Sequence, residues 1–584
     1  MTNTKQIPYA PKFAVKDNCL YERKDSKNGP YDRKLCNFAP WLVSEITVDD
    51  GVEKRTMIRL GGIHGSGRTL PEIEIPAEEL GNFNWLCKHW GIDCILETGY
   101  GVRESVRYAI QTTADGADRK TVYGVTGWKK IGGAWEFLMP GDEQLTVSLR
   151  GKMQCYVMER RCEDIDIVTG LAMLKSELAP PEVIQPLMAF TFLSPLNSFL
   201  KQAGCEPKFV LLLEGKTGSR KSTLAALFLS FFGRFTGAEL PLSFRDTKNS
   251  VLDSSFTLKD VLTCIDDFHP AGYGEEKELT GKAQAFMRAY GDRTGRGRLN
   301  ADCSFKDSKP PQGNAIITAE FPPNIGESGT ARYFALELKE GDVNLSLLTD
   351  LQRYAADGAL NRCMYGYVDW IKRTCLFDDA QEAKFISALK TQFENYRLEF
   401  QKSGIVCHGR VPEEVAWLRI GMNMFLSFQK ARGMISAEEK LEMETEFYAK
   451  LCRLAVRQAE SIRQDKPTHR FIRKLFALVE SGQVCLLRRD VDDDFMPKNC
   501  IGYEDDNFLY LLAEPAHKIV RQFCEEQGEA FTVSQKALLK QLAEDRLIQT
   551  AQGQNTKSLR FNGKSKRVVC LYKSLAQKIA DASR

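Results

Sequence analysis

Residues 209–232 read FVLLLEGKTGSRKSTLAALFLSFF, which is an apolar run, a glycine-bearing turn and then Lys-Ser-Thr. This order matches the phosphate-binding P-loop, G-x-x-x-x-G-K-[ST], which follows a strand and opens a helix. Phe209–Leu213 favours a strand, and Thr223–Phe232 has the apolar spacing of a helix. We therefore predict a nucleotide-binding loop here, and a structural strand-to-helix turn is the alternative.

In a P-loop, the backbone N–H groups of the turn and of the helix N-terminus surround the phosphate oxygens. Lys221 would supply the phosphate-binding charge, and Ser222 would ligate Mg²⁺ beside the bound ATP. Arg220 departs from the pattern, which has glycine before the lysine. The residues predicted to bind the nucleotide are Gly215, Lys216, Thr217, Gly218, Ser219, Arg220, Lys221, Ser222 and Thr223.

A second apolar run, Val261–Ile265 (VLTCI), precedes the acidic pair Asp266-Asp267. Hydrolysis at a P-loop needs carboxylates of this kind, one to hold Mg²⁺ and one to orient the attacking water. We assign Asp266 to the Mg²⁺ site together with Ser222, and Asp267 to the catalytic position. The alternative is an acidic pair that caps the next turn.

A third strand-like run, Asn314–Ala319 (NAIITA), leads directly to Glu320. A polar side chain at the tip of this strand can sense the γ-phosphate, which makes Thr318 and Glu320 candidates. Arg332 precedes a further predicted strand. It is either an arginine finger that reaches the γ-phosphate of a neighbouring subunit or a surface arginine.

Between the second and third strands lies RAYGDRTGRGR, residues 288–298. Arginines interleaved with glycines place dense charge on a mobile backbone. Arg293, Arg296 and Arg298 are therefore candidates for a loop that grips DNA in a ring pore. Contacts to a neighbouring nucleotide site and a merely solvated basic loop are the alternatives.

The composition describes an ordinary globular chain of several domains: 584 residues, 43% hydrophobic, 27% charged, with a net charge of +3. Any affinity for nucleic acid must come from local basic surfaces. The seventeen cysteines include no C-x-x-C pair, which indicates a reducing compartment rather than a disulfide framework. The N-terminus lacks the order of a signal peptide, and prolines interrupt the apolar stretch Val183–Leu200. We expect a cytoplasmic protein without a membrane partner.

The pattern of elements predicts five segments. Residues 1–40 are a polar lead-in, 41–179 an α+β accessory domain, and 180–345 an α/β core of alternating strands and helices. Residues 346–480 are a helical linker, and 481–584 a small C-terminal domain. In the accessory domain, Pro76–Trp90 has the pattern of a helix.

The C-terminal domain runs through helices into two strands around Asn562-Gly563, the order of a winged helix. From Asn555 to Arg584 there are eight Lys or Arg and one acidic residue. Basic wings follow DNA phosphates without reading sequence. A winged helix that makes only protein contacts is the alternative. The residues predicted to contact DNA here are Lys536, Lys540, Arg560, Lys564, Lys566 and Arg567.

With these motifs in order, the chain resembles an AAA+ ATPase. Residues 120–345 are similar to an ATPase domain of uncharacterised function in replication proteins of plasmids, phages and integrative elements, which is related to MCM-like helicases of mobile cassette elements. The similarity rests on VTGW at Val125–Trp128, GKTGSRKST, CIDDFHP and ITAEFPP. Asp267 stands where the MCM acidic motif has Glu, and Arg220 and Glu320 replace the usual Gly and Asn.

The resemblance implies an α/β P-loop (AAA+) core with an α+β N-terminal domain, a helical linker and a C-terminal winged helix. It also implies a homo-hexameric, ATP- and Mg²⁺-dependent DNA helicase or origin-melting motor that acts on single-stranded DNA or a forked duplex. No primase signature is visible, so a separate primase or polymerase would be a partner. A nucleotide-switched DNA-binding regulator or partition factor and a DNA packaging or conjugation motor are the rival functions.

Overall fold

The computed structural model describes residues 7–270, 273–295, 308–489, 497–527, 531, 533–550, 554–561 and 564–582, with the backbone of 298–299 and 305–306. The chain divides into two compact units, residues 1–160 and 161–584.

In its described residues, 7–160, the first unit combines one α-helix with antiparallel and mixed sheets. Its elements are β1 (Phe13–Lys16), β2 (Cys19–Lys24), β3 (Tyr31–Cys36), β4 (Phe38–Asp49), β5 (Lys54–His64), β6 (Thr69–Pro76), α1 (Val102–Thr112), β7 (Asp118–Tyr123), β8 (Gly127–Ile131), β9 (Ala134–Leu138) and β10 (Thr146–Val147). Strands β1-β2-β3 form an antiparallel sheet, β10-β7-β4-β5-β6 a mixed one, and β8 and β9 a hairpin around Gly132-Gly133.

The lead-in predicted for residues 1–40 is wrong for the part that the structure describes. Its residues form β1, β2 and β3, and Phe13, Leu20 and Leu35 are buried in the core of this unit. Most charged residues of these strands are at least partly exposed, and they mask the short apolar alternation by which one face of a sheet is recognised in a sequence.

The helix predicted over Pro76–Trp90 is also wrong. A 3₁₀ turn over Ala77–Gly81 and a π turn over Leu86–Trp90 take its place. Phe83, between them, has a φ of +58°, which is outside the helical region and stops a continuous helix.

The second unit begins with a parallel α/β core. Its elements are α2 (Asp164–Lys175), α3 (Pro181–Leu193), α4 (Asn197–Gln202), β11 (Val210–Glu214), α5 (Lys221–Leu229), β12 (Leu242–Ser243), α6 (Lys248–Thr257), β13 (Leu262–Phe268), α7 (Tyr273–Asp292), β14 (Arg298–Leu299), β15 (Phe305–Lys306), β16 (Asn314–Ala319), α8 (Glu327–Thr330) and β17 (Tyr333–Glu337). The sheet has the order β12-β13-β16-β11-β17, and each neighbouring pair is parallel.

The central strands are buried on both faces, as a parallel sheet covered by helices requires. Pro181–Gln202 is long and apolar enough to cross a membrane by composition, but 89% of its apolar window is buried inside the unit. This segment is therefore the helix pair that covers the sheet, as α3 and α4.

A helical region follows the sheet. Its helices are α9 (Leu345–Ala356), α10 (Ala359–Cys375), α11 (Asp379–Lys402), α12 (Val411–Ala431) and α13 (Ala437–Gln464). Helix α13 begins with a capping box in which Ser436 and Glu439 satisfy each other's backbone N–H groups. Helix α2 packs on α10, and α3 on α12. The boundary between the predicted accessory domain and the predicted core therefore lies after Arg160 and not after residue 179, because α2 belongs to the second unit.

The C-terminal region is a mixed sheet covered by helices. Its elements are α14 (Pro467–Glu480), β18 (Cys485–Arg488), β19 (Cys500–Glu504), β20 (Phe508–Leu511), α15 (Ala513–Glu526), α16 (Gln535–Glu544), β21 (Lys557–Phe561), β22 (Lys564–Tyr572) and α17 (Lys573–Asp581). The strand order is β18-β19-β20-β22-β21.

Helix α14 shares its core with this sheet, since Phe471 and Leu475 pack in one cluster with Val520 and Leu571. The C-terminal region therefore begins before residue 481. Helices α15 and α16 precede the β21–β22 hairpin. The Asn562-Gly563 turn lies outside the described residues, and the winged-helix assignment stays a prediction.

The close approach of α12 to α3 depends on Gly421. A Cβ at this position would lie 2.0 Å from the backbone oxygen of Ala189. We expect Gly421→Ala to lower the free energy of unfolding by about 1–3 kcal/mol, because the helix backbones must separate to admit the methyl group. Chemical denaturation would measure the change.

Gly281→Ala is the matched control. Gly281 also lies inside a helix, α7, but its Cβ would meet no atom within 4 Å. Alanine should there be neutral or stabilising by up to about 1 kcal/mol. Equal destabilisation by both substitutions would contradict the account of the α3–α12 contact.

Candidate nucleotide-binding site

The parallel sheet brings three loops to one edge. Leu213 is in register with Thr318, and Glu214 with Ala319, so β11 and β16 end side by side. Strand β13 pairs with the other side of β16 and ends at the same edge. The predicted P-loop, the acidic pair and Glu320 therefore lie together, although each is about fifty residues from the next along the chain.

The P-loop backbone has little room for other residues at its first glycine. A Cβ on Gly215 would lie 2.1 Å from the backbone oxygen of Leu338, which follows β17. Gly218 has a φ of +91°, a conformation that glycine adopts without cost. The loop ends at Arg220, whose φ of +69° is also left-handed. The position where the motif expects glycine thus has the backbone that glycine favours, with arginine in its place.

Lys221 is the first residue of α5 and lines the cleft. Its ammonium group lies 3.3 Å from the backbone oxygen of Lys216. Burial lowers the pKa of Lys221, and the nearby carboxylates of Glu320, Asp266 and Asp267 oppose this shift. A bound phosphate would favour the charged amine in the same way, so the lysine suits an anionic ligand.

Asp266 connects the three loops. Its Oδ1 accepts a hydrogen bond of 2.8 Å from Ser222 at the start of α5 and one of 2.5 Å from Thr318 at the end of β16. Thr318 is fully buried. The hydroxyl that the motif assigns to the metal and the carboxylate that would accompany it are thus already in contact.

These groups fit Mg²⁺, which prefers hard oxygen ligands and is usually held by one or two carboxylates, substrate phosphates and water. Among the described residues there is no group of three His, Cys, Asp or Glu that could hold a metal alone. Ser222 and Asp266 would hold the ion beside the phosphates, where it neutralises their charge.

Asp267 has an unusual backbone conformation near the end of β13. Its φ is +71°, and the register of β13 with β16 shifts between Ile265 and Phe268. The backbone N–H of Asp267 donates to the Thr318 hydroxyl at 3.0 Å, and its Oδ2 lies 3.3 Å from the Arg245 guanidinium. Sequence reasoning missed Arg245, which has no motif and follows the short edge strand β12.

Glu320 bridges two loops. One carboxylate oxygen accepts a hydrogen bond from the Thr217 hydroxyl in the P-loop, and the other lies 2.5 Å from Nδ1 of His269. His269 also escaped the sequence analysis, although it belongs to the quoted CIDDFHP. It lies three residues beyond Asp266, at the end of the acidic strand, and this position could have indicated that His269 belongs to the site.

These residues surround a cleft of about 290 Å³, close to the lower limit for small-molecule sites. Its lining combines the P-loop, the acidic strand and the third strand: Thr217, Gly218, Arg220, Lys221, Ser222, Thr223, Asp267, Phe268, His269, Thr318, Ala319 and Glu320.

Arg332 lies at the opposite edge of the sheet. Tyr333, the next residue, is in register with Val210 at the start of β11, whereas the P-loop follows the end of β11. Five residues of strand span roughly 16 Å, so Arg332 does not reach the P-loop of its own chain. Its guanidinium binds both carboxylate oxygens of Asp292, at 3.1 and 3.0 Å, and Arg410 binds Asp292 as well.

The DNA-contact prediction for Arg293 is wrong. Its side chain is 4% exposed and donates to the backbone oxygens of Pro207 and Gly313, both at 2.6 Å. The guanidinium therefore closes a loop of the core and cannot reach DNA phosphates. Arg296 and the side chain of Arg298 lie outside the described residues.

The predicted cations of the C-terminal region are distributed over several surfaces. Lys536 and Lys540 are exposed on α16. In the hairpin, Arg560 is opposite Ser565 and Arg567 opposite Ser558, on one face. Lys564 and Lys566 lie on the other face, where Lys566 donates to the Tyr503 hydroxyl at 2.7 Å.

The backbone of Arg220 gives a direct test of the P-loop geometry. We expect Arg220→Gly to raise the free energy of unfolding by up to about 1 kcal/mol. A β-carbon in the left-handed region costs about 1–2 kcal/mol, which glycine removes. Part of this gain is lost because glycine also makes the unfolded chain more flexible. Arg220→Ala is the control, because it removes the guanidinium but keeps the β-carbon. If alanine stabilises as much as glycine, the arginine charge and not the backbone is responsible.

Solved structures that resemble this chain include helicases. "SCCmec type IV Cch - active helicase" aligns with 98% of this chain and 99% of its own, at a TM-score of 0.57 and 12% identity. The C-terminal region of NrS-1 covers 71% of this chain and 88% of its own (TM-score 0.22, 10% identity), and JCV helicase 44% and 66% (TM-score 0.23, 13% identity). No family model and no curated protein sequence matches the chain. Over nearly its whole length, the chain shares its fold with the SCCmec type IV Cch helicase.

Proposed function

We propose that this protein is an ATP-hydrolysing DNA helicase or origin-melting motor that serves the replication of a mobile genetic element. The observation that carries the ATPase part is the contact of Ser222 with Asp266, 2.8 Å, at the edge where the P-loop and the acidic strand meet. The helicase part is supported by the fold shared over 98% of the chain with a helicase.

In this proposal the P-loop backbone and Lys221 bind the triphosphate, and Asp267 stands beside the position of the attacking water. Thr318 holds the acidic pair in place, since its hydroxyl donates to the carboxylate of Asp266 and accepts from the backbone N–H of Asp267. The site is therefore organised before the nucleotide binds, which reduces the reorganisation that catalysis requires.

Lys221→Ala should abolish ATP hydrolysis without unfolding the protein. Loss of one preorganised charge at a transition state typically costs on the order of 10²–10³-fold in kcat. Asp266→Asn should remove Mg²⁺-dependent turnover, and Asp267→Asn should slow hydrolysis while ATP still binds. A phosphate-release assay would measure each variant.

The matched control is Lys201→Ala, which removes an exposed lysine at the end of α4, away from the cleft. Wild-type turnover in folded Lys221→Ala would mean that this loop is a structural turn and not a nucleotide site.

We propose that the protein acts as a homo-hexamer in which Arg332 completes the site of the neighbouring subunit. Arg332 lies at the opposite end of β11 from the P-loop of its own chain, so its role is either in the site of the neighbouring subunit or structural. Mixing Arg332→Ala subunits with Lys221→Ala subunits should restore part of the activity, because some interfaces then combine an intact P-loop with an intact arginine.

Co-assembly of the two variants must be shown in the same sample. Absence of recovery in mixed assemblies would assign Arg332 to its ion pair with Asp292 alone. Arg332→Lys keeps a charge near Asp292, and it therefore separates loss of the ion pair from loss of a planar guanidinium.

We propose that the C-terminal hairpin binds DNA phosphates through the face that carries Arg560 and Arg567. Replacing both by glutamine should reduce the slope of log K against log salt by about 2, since each lost phosphate contact removes about 0.9. The loss should be similar for unrelated DNA sequences. Salt titrations of DNA binding followed by fluorescence anisotropy would measure it.

The comparison variant replaces Lys564 and Lys566, on the opposite face of the same hairpin, by glutamine. A larger change of slope for this pair would assign DNA binding to the other face. An unchanged slope for both pairs would give the hairpin a role in protein contacts.

A further inference from the structure

His269 and Glu320 form a carboxylate–imidazole pair inside the nucleotide cleft. Oε2 of Glu320 lies 2.5 Å from Nδ1 of His269. Glu320 itself is fixed on its other side by the Thr217 hydroxyl of the P-loop. Glu320 therefore holds the imidazole of His269 at Nδ1, and the P-loop holds Glu320.

This arrangement has the form of a base and the residue that orients it. A carboxylate at Nδ1 keeps the proton on that nitrogen and stabilises the imidazolium that forms when Nε2 accepts a proton. The two nitrogens lie on different sides of the ring, so Nε2 is directed away from Glu320. His269 lines the cleft, and its side chain is 48% exposed, which leaves room for water beside it.

Asp267 is less suited to accept the proton. Its carboxylate accepts a hydrogen bond from the Arg245 guanidinium at 3.3 Å, and this bond occupies a lone pair that would otherwise be open to water. The left-handed backbone at Asp267 lies in an irregularity of β13, and a tight turn at the end of the strand brings the N–H of His269 to 3.0 Å from the backbone oxygen of Asp267. The turn thus directs the chain so that His269 meets Glu320.

We infer that His269 is a further catalytic residue, the proton acceptor of ATP hydrolysis, and that Glu320 is its positioning residue; this inference rests on the proposed ATPase function. Water attacks the γ-phosphorus as its proton passes to Nε2 of His269. The new O–P bond forms while the bond from the γ-phosphorus to the β,γ-bridging oxygen breaks. ADP leaves with that bond's electron pair, and the imidazolium returns its proton to solvent.

The groups that face this pair include both signs of charge. Lys221 from the P-loop helix and Asp267 from the acidic strand line the same cleft, while Asp266 lies near Lys221 and Arg245 near Asp267. Glu320 and His269 stand between the P-loop and the acidic strand. A γ-phosphate at Lys221 would therefore be close to His269.

The test compares His269→Ala with wild type in steady-state ATPase assays on the full chain. The value of kcat should fall by about 10²–10⁴-fold, the usual contribution of a general base, while KM and binding of a fluorescent ATP analogue change little. Imidazole added to the buffer should restore part of the kcat of His269→Ala, because the open cleft admits it. It should not restore Lys221→Ala.

Two further variants separate catalysis from folding. Glu320→Gln keeps a hydrogen-bond acceptor at His269 but removes the charge, so kcat should fall less than in His269→Ala, with ATP binding retained. His89→Ala is the matched control, because His89 is also an exposed histidine but belongs to the first unit. It should behave as wild type.

An unchanged kcat in His269→Ala would overturn the inference, as would a loss that imidazole does not restore in protein with a normal melting curve. In the latter case the pair only ties the two loops together. If wild type hydrolyses ATP and requires Lys221, either result leaves the proposed function intact. If wild type hydrolyses no ATP, the proposed function and the inference both fall.

Discussion

The arrangement of the site depends on one carboxylate oxygen, Oδ1 of Asp266, which accepts hydrogen bonds from Ser222 and Thr318. The first hydroxyl belongs to the P-loop helix and the second to the third strand of the core. Such charge-assisted bonds are roughly twice as strong as those between neutral groups. The parallel sheet brings the three strand ends together, and this oxygen fixes their side chains, so that Glu320 and His269 meet across the same cleft.

Local patterns were sufficient to predict much of the second unit. The strand before the P-loop, the helix after it and the strand over Asn314–Ala319 lie as expected, and residues 346–464 are mostly helical, as predicted for the linker. These segments are long or strongly apolar, so their pattern depends little on tertiary context. Local patterns do not give the register between neighbouring strands. The alternation of strands and helices does predict a parallel sheet, and in a parallel sheet the loops that follow the strands lie at one edge.

Features that depend on partners distant in sequence were beyond prediction. Arg293 has the sequence surroundings of a solvated basic loop, yet its guanidinium is buried and donates to the backbone oxygens of Pro207 and Gly313. The contact of His269 with Glu320 joins residues 51 positions apart, and neither residue belongs to a fixed motif spacing. The strands within residues 13–36 could not be predicted from their own sequence, because they depend on packing of one face against the core of the first unit.

The most direct test of the account is strand separation on a forked DNA duplex with single-stranded tails of both polarities. The account predicts that ATP and Mg²⁺ together separate the strands, and that a non-hydrolysable analogue supports DNA binding without separation. ATP hydrolysis without strand separation on any fork, together with nucleotide-dependent gain or loss of DNA binding, would contradict it. That result would make the protein a nucleotide-switched DNA-binding regulator.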